Sequence, residues 1–139
     1  GSTNYVFVKG SVEQRPLCGQ FDVIVCQRMI HYLPYDTAKA QVIWLRELIA
    51  GDGRLFISAS GLDSELGNGY AHKALPLYQR FSQLAPEMAE KHSIYPPVCL
   101  YRLEDLTQLL EESGWVIECG YVSSFGNIKV VAKPREMEA

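Results

Sequence analysis

Gln27, Arg28, His31 and Tyr32 follow directly on the apolar run Phe21-Asp22-Val23-Ile24-Val25-Cys26. Together they bring an amide, a guanidinium, an imidazole and a phenol to one short stretch. The run suits a strand buried on both faces. Ligands of open α/β sheets bind at the carboxyl ends of strands, so these four residues stand where chemistry is expected. The plainer alternative is a buried strand followed by an ordinary loop.

A strand needs partners and a layer of helices, and the rest of the chain supplies candidates for both. Tyr5-Val6-Phe7-Val8 reads as a strand stopped by Gly10, and Ser11 to Gln20 as a loop into the strand at Asp22 to Cys26. Beyond Pro34, Asp36 is the expected N-cap of a helix reaching about Ala50, with Ala38, Val42, Leu45 and Ile49 on its apolar stripe and Gly51 and Gly53 ending it. Arg54 to Ser58 is a second central strand, and strand, helix and strand in this order predict a right-handed parallel crossover. Leu62 to Pro97 breaks the alternation, and with Pro76 and Pro86 in its path it reads as two or three short helices capping the strand ends. Arg102 to Ser113 is a helix stopped by Gly114. Trp115 to Tyr121 and Ile128 to Lys133 are close enough to form a hairpin, and Pro134 to Ala139 is a polar tail.

Composition bounds what such a domain can do. The 139 residues suit one domain with a real core, and 47% of them are apolar. Lys and Arg number 13 against 16 Asp and Glu, a net charge of -3 with the basic residues scattered, which argues against a nucleic-acid groove. The sequence shows neither an apolar run long enough to span a bilayer nor a signal peptide, so no membrane partner is expected and the default location is the cytoplasm. Cys18, Cys26, Cys99 and Cys119 form no C-x-x-C pair and read as reduced, mostly buried thiols; His31, His72 and His92 lack metal-ligand spacing, so no metal is expected. Gly1-Ser2 reads as an expression-tag scar. Ser58 lacks the G-x-S-x-G surroundings of an esterase nucleophile.

Phe21-Asp22 opening a strand, Met29-Ile30-His31-Tyr32-Leu33 after it, Ala50-Gly51-Asp52-Gly53-Arg54-Leu55-Phe56-Ile57, and a closing hairpin introduced by Glu112-Ser113-Gly114-Trp115 follow in order. This succession resembles the C-terminal half to two-thirds of the class I methyltransferases that use S-adenosylmethionine, although Asp52 departs from their Pro-Gly-Gly type turn. The resemblance implies an α/β fold, a partial Rossmann-like sheet made of the family's strands three to seven, mixed in direction and ending in an antiparallel hairpin. It also implies S-adenosylmethionine as cofactor and a small-molecule acceptor. Gln27 and Arg28 would border the cofactor, and His31 would be the first candidate for a general base, since a free imidazole titrates at about pH 6.5. Tyr32 is the second catalytic candidate, and with Tyr35 it would orient the acceptor; Ser60 and Tyr70 are further acceptor contacts. The alternatives are a His31 hydrogen-bonded to backbone, a Tyr32 and cap aromatics packed in the core, and a solvated loop over Ser58, Ser60, Asp63 and Glu65.

The family's first strand, Gly-rich turn and ribose-holding acid should all precede Tyr5, and no G-x-G occurs ahead of Phe21. A single domain over 3–133, with an insertion over 62–97 and without its cofactor half, is therefore expected: a methyltransferase-like domain inactive alone, or a non-catalytic binding or assembly module. Its sheet edge at Val23 to Cys26 would be repaired by Tyr5 to Val8 or, as the more attractive expectation, by a second copy in a homodimer.

Overall fold

The computed structural model describes residues 20–136. Strand β1, Phe21–Gln27, leads through a single 3-10 turn at Ile30–Tyr32 to helix α1, Tyr35–Leu48, and then to strand β2, Ile49–Ala59. A cap follows, with 3-10 turns at Glu65–Gly67 and Leu77–Gln79 and one short helix α2, Pro86–His92. Helix α3, Leu103–Glu112, then strands β3, Trp115–Val122, and β4, Ile128–Pro134, complete the chain. The sheet order is β1-β2-β4-β3. β1 and β2 are parallel and joined through α1, β4 runs antiparallel to β2, and β3 pairs antiparallel with β4.

One core explains this arrangement. Ala38, Val42, Leu45 and Leu48 of α1 and Leu106, Leu109 and Leu110 of α3 are buried in a cluster that also holds Leu55, Ile57, Val130 and Ala132 of the sheet. Burial of each large side chain in that cluster contributes about 1.5–3 kcal/mol. Trp115 is fully buried there, and its indole N–H donates to the Val42 carbonyl at 3.1 Å, fixing the start of the hairpin to α1. Both helices thus pack on the same face of the sheet.

Among the described residues no element covers the opposite face, so β1 is not the strand buried on both sides that was expected. Val23 and Val25 are 58% and 59% exposed, and Phe56, which pairs with Val25, is exposed beside them. Among the described residues β1 pairs only with β2, so it is an edge. The expected strand at Tyr5 to Val8 lies outside the described residues.

Local corrections follow from packing. α1 begins after Pro34, whose fixed φ suits a helix entry, so Asp36 lies in the first turn and makes no cap. α1 also ends before the glycines, because Ile49 is already paired with Phe21 in the sheet. Gly53 is part of β2 rather than a stop. A Cβ on it would lie 2.8 Å from the Ile49 side chain and 2.9 Å from the Asp22 carbonyl, and the pairing register shifts between Phe21 and Val23. Tyr70 to Leu75 forms turns in place of the expected helix, and only Pro86, at a helix start, opens an α-helix in the cap. Gly114 does stop α3, at φ 95°. The supposed tail is held at its start: Pro134 is the buried last residue of β4, and the Arg135 N–H donates to the Gly114 carbonyl at 3.0 Å.

The cap has its own small core of Leu62, Leu66, Tyr70, Leu84, Val98 and Leu100. It is tied to α3 by Arg80, a buried guanidinium that donates to Asp105 at 2.8 Å, to the Leu100 carbonyl at 2.7 Å and to the Leu75 carbonyl at 2.9 Å.

Candidate active site

The parallel strands β1 and β2 end side by side, with Gln27 opposite Ser58. The chain then turns sharply at Arg28, whose φ of 50° is unusual for a residue with a Cβ. The turn is held from β2: the Arg28 backbone N–H donates to the Ser58 carbonyl at 3.0 Å and to Ser58 Oγ at 3.1 Å. Further along, an Arg28 Nη2 donates to Ser60 Oγ at 3.3 Å. Ser58 and Ser60 are both buried, not part of a solvated loop, and their hydroxyls fix an arginine.

His31 lies behind this arginine, almost fully buried. Its Nδ1 accepts the Ser60 backbone N–H at 3.3 Å, and its carbonyl accepts the Cys99 N–H at 2.7 Å. Burial first, and the positive charge of Arg28 second, push the imidazole down to about 4. The ring is therefore neutral at pH 7 with its Nδ1 lone pair engaged, which places its hydrogen on Nε2. A neutral imidazole held in this way orients the strand ends and offers a donor. Tyr32 packs on it at 4.3 Å between ring centroids while remaining 44% exposed.

A cavity of about 250 Å³ opens on the bare face beside these strand ends. Gln27, Arg28 and Ser58 form one side, Phe56 the apolar floor, and Tyr121 and Lys129 of the hairpin the other side. The hairpin residues could not be anticipated from local sequence, because Lys129 reaches the site only through its pairing with Ser58 across the sheet.

The fold thus brings together Gln27, Arg28, His31, Tyr32 and Ser60, and sends two other candidates elsewhere. Tyr35 faces α3, where its hydroxyl donates to Glu112 at 3.3 Å beside Lys39. Tyr70 is buried in the cap core with its hydroxyl donating to the Val98 carbonyl at 2.5 Å, a packing and anchoring role. His72 is likewise occupied, its Nδ1 accepting the Phe81 N–H at 3.1 Å. Cys26 and Cys99 are buried free thiols pushed up to about 11 and about 12 by burial, and Cys119 is exposed. No helix of the described residues is long and apolar enough to cross a membrane.

No protein-family model matches the chain, and neither does any curated protein sequence. Solved structures do match. A 1,6-didemethyltoxoflavin-N1-methyltransferase of Burkholderia thailandensis, with 1,6-didemethyltoxoflavin and S-adenosylhomocysteine bound, is similar over 94% of this chain and 51% of its own, at TM-score 0.64 and 16% identity. An S-adenosylmethionine-dependent methyltransferase of Clostridium acetobutylicum matches over 93% of this chain and 64% of its own, at TM-score 0.62 and 12% identity. The magnesium protoporphyrin IX methyltransferase of Synechocystis, also with S-adenosylhomocysteine, covers 94% of this chain and 51% of its own at TM-score 0.59 and 17% identity. Across these and other matches the chain spans between 33% and 64% of the other protein's length. The sheet and helices described above therefore have the α/β, partly Rossmann-like fold of S-adenosylmethionine-dependent methyltransferases, in the C-terminal portion expected from the sequence.

Proposed function

We propose that this chain is the acceptor-side portion of an S-adenosylmethionine-dependent methyltransferase acting on a small molecule. The observation that carries this reading is the meeting of Gln27, Arg28, Ser58 and Ser60 at the carboxyl ends of two parallel strands, within a fold whose solved examples hold S-adenosylhomocysteine.

The cofactor would supply an electrophilic methyl group. Of a cofactor site the described residues furnish one wall, Gln27 and Arg28, and the adjoining cavity of about 250 Å³ falls below the roughly 300–1,000 Å³ of small-molecule sites. The chain's own residues act by positioning. Ser58 and Ser60 set the Arg28 backbone and guanidinium, and His31 holds the Ser60 amide. Phe56 and Tyr121 give an apolar body something to lie on. His31 contributes orientation rather than proton removal, since its Nδ1 lone pair is engaged and its affinity for a proton is low.

The incomplete cavity also favours a second reading, a non-catalytic binding or assembly module built on the same fold. Calorimetric titration with S-adenosylhomocysteine separates the two. Saturable binding supports the enzyme reading, and no binding at millimolar ligand rules out catalysis by this chain alone. For this chain by itself we propose that a second copy covers the open edge of β1. Antiparallel pairing about a two-fold axis at Ile24 would set Val23 against Val25 of the other copy and bring no like charges together.

A further inference from the structure

We infer that the cavity beside the strand ends recognises a carboxylate attached to an apolar or aromatic body, with Arg28 as the anion-binding side chain and Lys129 as its support. This deepens the methyltransferase reading, and rests on it where the cofactor is concerned.

The charge balance around the cavity carries the inference. Arg28 and Lys129 both line it, and among the described residues no carboxylate does. Three other arginines, all less exposed than Arg28, are committed. Arg46 donates to the Gly114 and Arg135 carbonyls, Arg54 is paired with Glu118, and Arg80 with Asp105. Among the described residues Arg28 has no acidic partner within ion-pair distance, and its one side-chain hydrogen bond is to the neutral Ser60 hydroxyl. That bond uses a single Nη2 hydrogen, leaving donors for a planar, two-oxygen acceptor.

Backbone geometry is a second, independent observation. At φ 50° Arg28 occupies a conformation that glycine or asparagine adopts more cheaply, and two bonds to Ser58 hold it there. Strain of this kind persists where the surroundings over-determine it, and here they fix the root of the one guanidinium that faces the cavity. Phe56, Val131 and the Tyr121 ring give the cavity apolar walls, so the complementary ligand joins an anion to an apolar body.

Two sources could provide that carboxylate, the methyl acceptor or the amino-acid tail of the cofactor. The test follows backbone amide resonances of the whole chain during titration with benzoate and, separately, with benzamide. Benzoate is expected to shift Gln27, Ser58, Tyr121 and Lys129, with benzamide binding more weakly. Arg28→Gln should weaken benzoate by roughly tenfold or more, while Arg28→Lys keeps part of the affinity. Lys129→Met, which touches no strained backbone, should weaken it less, so the inference stays testable if Arg28→Gln fails to fold. In the cofactor arm, S-adenosylhomocysteine is compared with 5′-methylthioadenosine, which lacks the carboxylate. If Arg28→Gln weakens S-adenosylhomocysteine but not 5′-methylthioadenosine, the anion is the cofactor tail; if it weakens benzoate and leaves both nucleosides bound as before, the anion belongs to the acceptor. Equal binding of benzoate and benzamide, or affinities unchanged by every substitution, would overturn the inference. The benzoate arm is read without cofactor, so it can succeed where the methyltransferase reading fails.

Discussion

At the scale of single residues, burial decides what the polar groups can do. His31 takes up a proton only below about 4 in the fold, against 6.5 for an unperturbed imidazole, because burial and then Arg28 oppose its charge. The unfolded chain therefore binds the proton first. Stability linked to His31 is complete above pH 6.5 and is lost as pH falls from there through 4. The full effect is about 3 kcal/mol by the usual 1.36 kcal/mol per pH unit. Urea unfolding at pH 7 and pH 4.5 should show most of that loss, about 2 kcal/mol, and the folded His31 ring should stay largely unprotonated between pH 7 and pH 5. A titration centred near 6.5 would contradict the buried, engaged imidazole. Arg80 is the reverse case, a charge kept in the interior by Asp105 and two backbone carbonyls. Arg80→Met strands those acceptors and should cost about 3–5 kcal/mol in urea unfolding.

At the scale of elements, close backbone approach is as important as side-chain packing. The loop between β3 and β4 lies against the segment after β2 so tightly that a Cβ on Gly61 would sit 1.6 Å from the Gly126 carbonyl oxygen. Gly126 itself has φ 87°, and a Cβ there would meet the Ser64 backbone at 2.7 Å. Gly126→Ala should therefore destabilise by roughly 2–4 kcal/mol in thermal or urea unfolding, more than its loss of backbone freedom would suggest. Much of the element order was legible in the sequence, because apolar spacing at Ala38, Val42 and Leu45 and at Leu106, Leu109 and Leu110 is local information. What escaped was non-local. Gly51 and Gly53 read as a stop, yet Gly53 lies within β2, where the Asp22 carbonyl of the neighbouring strand would meet a Cβ at 2.9 Å. Gln27, Arg28, His31, Tyr32 and Ser60 converge because strand ends in a parallel pair converge, which a sequence pattern does convey. Tyr35 and Tyr70 were drawn away by Glu112 and the Val98 carbonyl, partners that only the tertiary fold supplies.

At the scale of the whole molecule, the sheet is lopsided: α1 and α3 cover one side, and Val23, Val25 and Phe56 face outward on the other. An edge strand with such side chains is a template for association. Sedimentation at micromolar concentration should show a dimer, and Val25→Lys should shift the population to monomer while leaving the unfolding midpoint of the monomer within about 0.5 kcal/mol of equivalent stability. A wild-type chain that sediments as a monomer would sink the two-fold pairing of β1.

The position of β4 between β2 and β3 has a kinetic consequence. The unit β1-α1-β2 joins segments that are near one another in the chain, and β3-β4 is a local hairpin, so each can form early. Pairing Leu55 with Ala132 instead requires the chain to close around the entire cap, with a loop-closure cost that local contacts do not repay. Refolding of this small domain is accordingly governed by one late docking event along the β2–β4 seam. Core substitutions at Leu55 or Ala132 should therefore slow refolding as well as speed unfolding, read from the two arms of a denaturant chevron.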